Sequence, residues 1–239
     1  MEIFYISLLT LAAAAIGTIT GFGTSTLMIP ISVIFFPPVE AIFLVAIIHW
    51  FGNIWKVALF RSGFDLRLLV LFGAIGLATS YLGAYISLGA NEQILLRLLG
   101  AFLAGYSLLL IFQSKFKIPA GNLTALSGGA LSGFFAGMFG IGGAIRGMFL
   151  TAFDLPKAVY IATAGAIGLL VDSTRIITYF TRGATLPKEL WYGLLLFIPV
   201  SFLGAQIAKN IVDKIPQNQF RIVIAVFLFV IGLKLIVWP

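Results

Sequence analysis

The chain carries the same unusual arrangement twice: a glycine cluster set inside an apolar stretch too long for one ordinary helical span. Gly17–Thr18–Ile19–Thr20–Gly21–Phe22–Gly23 lies in the first stretch, and Gly133–Phe134–Phe135–Ala136–Gly137–Met138–Phe139–Gly140–Ile141–Gly142–Gly143 in the second. Each is followed by a proline–alanine step, Pro38–Val39–Glu40–Ala41 and Pro156–Lys157–Ala158. Next come Phe60–Arg61–Ser62–Gly63 and Phe180–Thr181–Arg182–Gly183, then Leu82–Gly83–Ala84–Tyr85–Ile86 and Leu203–Gly204–Ala205–Gln206–Ile207. The offset between copies drifts only from 116 to 121 residues. A duplicated apolar unit with glycine interruptions at matching positions is the pattern of a secondary transporter.

Composition fixes the solvent. Hydrophobic residues make up 61% of the chain and charged residues 10%, against about 25% charged in globular proteins. The expected fold class is an all-α polytopic membrane protein forming a single transmembrane domain over residues 1–239. The net charge of +7 falls in or near short loops, as membrane topology requires, so it is no sign of nucleic acid. The absence of cysteine excludes disulfides, thiolate chemistry and Cys-based metal sites. No cofactor and no metal are expected. Met1–Glu2 starts the chain without a basic region, so the first segment reads as retained rather than as a signal peptide.

Eight apolar segments can be marked, at roughly 3–36, 40–60, 67–88, 92–112, 123–153, 156–180, 187–208 and 218–238. They divide into repeat one (1–112), a polar connector (113–122) and repeat two (123–239). The first segment of each repeat is either a glycine-broken helix that crosses once or a re-entrant hairpin. If all eight cross, the loop lysines and arginines split seven to five between the two sides; if the two long segments are hairpins, eight to four. The stronger asymmetry favours hairpins and hence inverted repeats. Gly73 with Gly76, the run Gly128–Gly129–Gly133–Gly137, and Gly165 with Gly168 read as helix-contact faces. Trp50, Trp55, Trp191 and Trp238 read as interfacial anchors.

A helix broken inside a membrane frees backbone groups that lipid cannot satisfy. The leg that restarts presents free N–H donors and the positive end of its dipole, which attract anions. The restarts fall at Gly23, Thr24, Ser25 and Thr26 and at Gly140, Gly142 and Gly143. Polar residues recur beside them. Asn53 and Lys56 stand three apart in the second segment, Asp172 and Arg175 three apart in the sixth, both at an offset of 119. Arg146 follows Gly143 by three. Intramembrane charges are costly and point to function. Lys56 and Arg175 could instead reach toward the headgroups, and Asp172 and Arg175 could simply neutralise each other. His49, the only histidine, is a candidate for proton coupling or a hydrogen bond to a neighbouring helix. Three cations against one carboxylate leave net positive charge, so the expected ligand is a small anion.

In these motifs the chain resembles the TauE/SafE family of small membrane transporters. The resemblance rests on the duplicated glycine unit with Pro30 and Pro38-x-x-Ala41, the turn Arg61–Ser62–Gly63, and the second copies with Asp172-x-x-Arg175 and Arg182–Gly183. It implies export or exchange of small anions, often sulfite, sulfonates or related organic acids, by a multi-pass protein of the cell inner membrane. A homodimer is conceivable for so small a transporter. The rival expectation is a membrane scaffold without transport. An enzyme is not expected, because no nucleophile–base pair is present.

Overall fold

The computed structural model describes residues 2–61, 63–112, 118–212 and 217–239, with the side chains of 217–221 excepted. Half of the connector, 113–117, and the basic residues Lys115, Lys117 and Lys214 fall outside the described residues. The described residues are helical, without a strand. The helices are α1 (Glu2–Thr20), α2 (Ser25–Ser32), α3 (Pro38–Leu59), α4 (Leu66–Gly89) and α5 (Glu92–Phe112). After them come α6 (Asn122–Phe139), α7 (Gly143–Leu150), α8 (Lys157–Thr181), α9 (Lys188–Ile211) and α10 (Gln217–Val237). Among the described residues, α1, α3, α4, α5, α8 and α9 are long and apolar enough to cross a membrane. The chain is a polytopic α-helical membrane protein.

Local chemistry sets the boundaries. Gly21 and Gly23 hold φ of 75° and 81°, a left-handed backbone that L side chains resist, so α1 stops there. Gly140, at φ 74°, ends α6. Its N–H donates to Ala136 O at 2.8 Å and the Ile141 N–H to Phe135 O at 3.3 Å, which satisfies carbonyls left open at the helix end. Pro38 opens α3, and Pro156 and Pro187 precede α8 and α9, where a missing N–H costs nothing. Asp65 caps α4 by accepting from the Leu68 N–H at 2.9 Å.

The packing repeats when the two halves are exchanged. Helix α4 lies on α6 as α1 lies on α9; α4 meets α8 as α3 meets α9; α3 pairs with α8 and α5 with α10. The α4–α6 seam is made of glycine. A Cβ on Gly83 would lie 2.2 Å from Phe134 O, one on Gly137 2.1 Å from Ser80 O, and one on Gly133 2.4 Å from Gly76 O. The glycine faces expected on α4 and α6 are thus backbone contacts, as in membrane helix pairs generally.

These contacts also fix direction. Gly76 faces Gly129, and Ser80 faces Gly137, so α4 and α6 run parallel. Trp50 donates to Ser173 Oγ at 2.8 Å while Lys56 meets Gly165, so α3 and α8 run antiparallel. Gly100 meets Ile236 while Ala104 meets Gly232, so α5 and α10 are antiparallel too. Phe43 touches Trp191, and Trp55 donates to Ser201 Oγ, so α3 and α9 are parallel. Ala14 packs on Gly204 and Ile19 clusters with Ala208 and Val212, so α1 runs with them. Since α1 and α3 point the same way, the stretch holding α2 carries the chain back. The same reasoning applies to α6, α7 and α8. Each broken segment therefore turns the chain back on itself, the course the hairpin arrangement requires. Trp50 and Trp55 depart from the interfacial expectation: both spend their indole N–H on a serine of a neighbouring helix.

Candidate functional site

The two breaks meet back to back. A Cβ on Gly143 would lie 2.3 Å from Phe22 O and 3.3 Å from Gly23 Cα, and one on Gly23 2.9 Å from His49 Nε2. Only glycine lets the half-helices approach this closely. The first intrahelical bond of α7 is Arg146 N–H to Gly142 O at 2.9 Å, and that of α2 is Thr26 N–H to Gly23 O at 3.3 Å. The amides before them have no backbone acceptor within their own helix. The hydroxyls of Thr24 and Ser25 are buried without a partner. Thr26 differs: its Oγ1 donates to Phe22 O at 2.6 Å, so the freed carbonyl four residues back takes its proton.

Beside the breaks, α3 and α8 hold a buried polar cluster. Asp172 Oδ1 accepts from Arg175 Nη2 at 2.8 Å. Its Oδ2 lies 2.7 Å from His49 Nδ1 and accepts from Asn53 Nδ2 at 3.0 Å. The carboxylate selects the imidazole tautomer with the proton on Nδ1. That leaves Nε2, which has no partner, facing Gly23. Lys56 Nζ donates to Asn53 Oδ1 at 3.1 Å. Arg175 also donates from Nη1 to Ala136 O at 3.3 Å. Gly165 and Gly168 admit this cluster: a Cβ on Gly168 would sit 2.4 Å from Asn53 Nδ2. Lys56 and Arg175 are 5% and 0% exposed, so neither reaches out to the membrane surface.

Asp172 thus neutralises Arg175 and is fully occupied. Replacing Asp172 with asparagine leaves that guanidinium without a counter-charge in a dry site. The expected loss of stability is about 3 kcal/mol, read as a lower unfolding temperature of the purified protein. Adding Arg175→Gln to the same variant should recover part of it, because the orphaned charge is then removed.

A small cavity of about 10 Å³, room for about one water, lies against the first break, and Lys56, Asn53 and Arg146 line it together with Gly17, Thr18, Gly21 and Gly23. Tyr160, Ile161, Ala164 and Gly165 of α8 complete the wall. No carboxylate is among these residues. Arg146 is 3% exposed, its Nε is buried without a partner, and its Nη2 points toward Gly168. Two basic side chains therefore face one space whose wall holds no acid, and the nearest carboxylate, Asp172, is already bonded to Arg175.

Of the residues singled out from sequence, Gly23, Asn53, Lys56 and Arg146 border this cavity. His49, Asp172 and Arg175 stand behind Asn53. Thr24, Ser25, Thr26, Gly142 and Gly143 belong to the packed junction, and Gly140 sits against Ile29 and Arg175 on the far side of it. Tyr160 and Thr18 escape the sequence reading, because a search for charges and glycine breaks passes over them.

A second, wider space of about 330 Å³ adjoins the first, lined by Thr18, Ile19, Thr20 and Gly21, by Thr151, Asp154, Leu155 and Lys157, and by Tyr160 and Ile161. It opens beside the α7–α8 link, at the end of the bundle where Lys157 Nζ donates to Val212 O.

The model of a family described as Sulfite exporter TauE/SafE matches residues 6–235 of the chain. No curated protein matches it.

Proposed function

The chain belongs to the Sulfite exporter TauE/SafE family, a family of membrane transporters and not of enzymes, and from that premise we propose that it moves a small sulfur oxyanion such as sulfite or a sulfonate across the cell inner membrane. The observation that carries this reading is the pair of buried side chains Lys56 and Arg146 on one small cavity that has no acidic lining residue. Taking an unpaired cation out of water costs several kcal/mol. A fold that keeps two of them facing the same space is stabilised when an anion enters it. The neighbouring half-helix ends add donors of the same sign. Asn53 holds Lys56 in place, and Asp172 with Arg175 fixes Asn53 and His49.

The two halves are read as an inverted duplication, since α3 and α8, which hold equivalent places, run antiparallel. Binding at the interface of such halves is the usual design of a secondary transporter. Hairpins place Arg61, Arg67, Lys157 and Lys209 on one side, with Arg97, Arg182, Lys188 and Lys234 on the other; the remaining loop basic residues make the count eight to four in favour of the first side. That side is assigned to the cytoplasm. The wider space opens there, so the site would load from the cytoplasm, as an exporter requires.

Two measurements test this. In liposomes holding the purified protein, labelled sulfite should cross faster than in empty liposomes. A screen of sulfite, sulfate, thiosulfate, sulfonates and dicarboxylates should show thermal stabilisation by the carried anion. A scaffold without transport predicts neither. For orientation, a membrane-impermeant maleimide should label Lys188→Cys in intact cells and Arg61→Cys only after permeabilisation. Labelling in the reverse order would invert the assignment and make the site outward-loading.

A further inference from the structure

We propose that Tyr160 is both the substrate-contacting donor that completes the anion site and the movable partition between that site and the cytoplasmic vestibule. This rests on the anion reading above and assigns a residue that reading does not need.

Four residues border both spaces: Thr18, Gly21, Tyr160 and Ile161. Of these only Tyr160 joins a long side chain to a polar tip. It stands in the first turn of α8, its N–H bonded to Pro156 O at 2.8 Å. Its side chain crosses to the first break, where the backbone is shaped around it. A Cβ on Gly21 would lie 2.8 Å from both Cε1 and Oη of the ring, and one on Gly147 3.0 Å from Oη. Gly21 is also held at φ 75°. The seat is therefore built from two glycines, one on each broken segment.

The hydroxyl is poorly satisfied in that seat. Its hydrogen bond is a 3.4 Å contact to Gly147 O, beyond the range of a good O–H···O bond. A buried phenol normally finds a better partner. An oxyanion oxygen held by Lys56 and Arg146 is such a partner, and a bond to a charged acceptor is stronger than one to a carbonyl. With the anion absent, the ring rests on glycine and separates cavity from vestibule. With the anion bound, the phenol turns from Gly147 O to the ligand. A sulfur oxyanion with three oxygens gives one each to Lys56, Arg146 and Tyr160.

The chain has no native cysteine, which makes the test clean. Ala164 lines the deep cavity and not the vestibule, so Ala164→Cys reports passage through the partition to a sulfonate-bearing thiol reagent applied from the cytoplasmic side. Tyr160→Phe keeps the ring and loses the hydroxyl. It should raise the KM for sulfite about tenfold with maximal flux within about twofold, as expected for one lost charge-assisted bond. Combined with Ala164→Cys, it should leave labelling of the introduced thiol unchanged. Tyr160→Ala removes the partition and should speed labelling of that thiol at least about tenfold, with sulfite protecting it in both backgrounds. Sulfite flux in the wild type together with an unchanged KM in Tyr160→Phe, or unchanged labelling in Tyr160→Ala, overturns the assignment and spares the anion reading. A wild type inert to every oxyanion overturns both.

Discussion

Arg146→Gln is expected to abolish anion flux while making the empty protein more stable. The two effects have one cause. Arg146 is a buried guanidinium with no direct ion pair, and the nearest carboxylate, Asp172, is already bonded to Arg175. In the empty protein Asp172 compensates its charge only in part, so a neutral amide of similar length relieves a desolvation cost. With an anion bound, it is a fully desolvated partner whose removal costs about 3 kcal/mol or more, roughly two decades in affinity. The unfolding temperature without ligand should rise, the shift caused by sulfite should vanish, and flux should fall to the level of empty liposomes. Arg146→Lys should fall between, because it keeps the charge and loses the planar fork. A variant that is both less stable and normally active would show that Arg146 is a structural residue.

Gly143→Ala is expected to be strongly destabilising and to spoil the junction of the two breaks. The added carbon would lie 2.3 Å from Phe22 O and 3.0 Å from Phe22 C, both backbone atoms with no rotamer to change. The half-helices must then part. The expected cost is about 3 kcal/mol, the upper end for overpacking a tight site, together with loss of anion stabilisation because the first break forms the cavity wall. Gly105→Ala is the control. Nothing lies within 4 Å of a Cβ there, and alanine gains about 0.8 kcal/mol of helix propensity. It should be neutral or stabilising by denaturant unfolding. Equal behaviour of the two variants would refute the close junction.

The breaks are legible in the sequence because only glycine accepts the left-handed backbone that stops a helix inside an apolar run. Gly21, Gly23 and Gly140 do so as the pattern implies. The pairing of Asn53–Lys56 with Asp172–Arg175 is legible as a repeat, and α3 and α8 do bring the four into one cluster. Which cations stay unbalanced is not. That depends on which helix face Arg146 turns toward, and the sequence gives Asp172 no preference between Arg146 and Arg175. The hairpin course is only weakly written, since it rests on a small difference in loop charge. The helix directions agree with it. Thr26 misleads because its hydroxyl reads as a free donor until Phe22 O is seen four residues behind. Tyr160 carries no charge, break or repeat partner to draw notice, and its place follows from the return of α7 toward α8.

The α4–α6 seam limits how this molecule can change shape. Side chains that interdigitate can slide by hopping between rotamers, but peptide planes pressed together have no such freedom. Gly76, Gly83, Gly129, Gly133 and Gly137 weld these two helices into a single strut, and Gly204, with a Cβ position 2.7 Å from Leu11 O, begins the same weld between α1 and α9. The stroke that turns the site from one face of the bilayer to the other is thereby left to the short half-helices α2 and α7 and to the polar joint between α3 and α8.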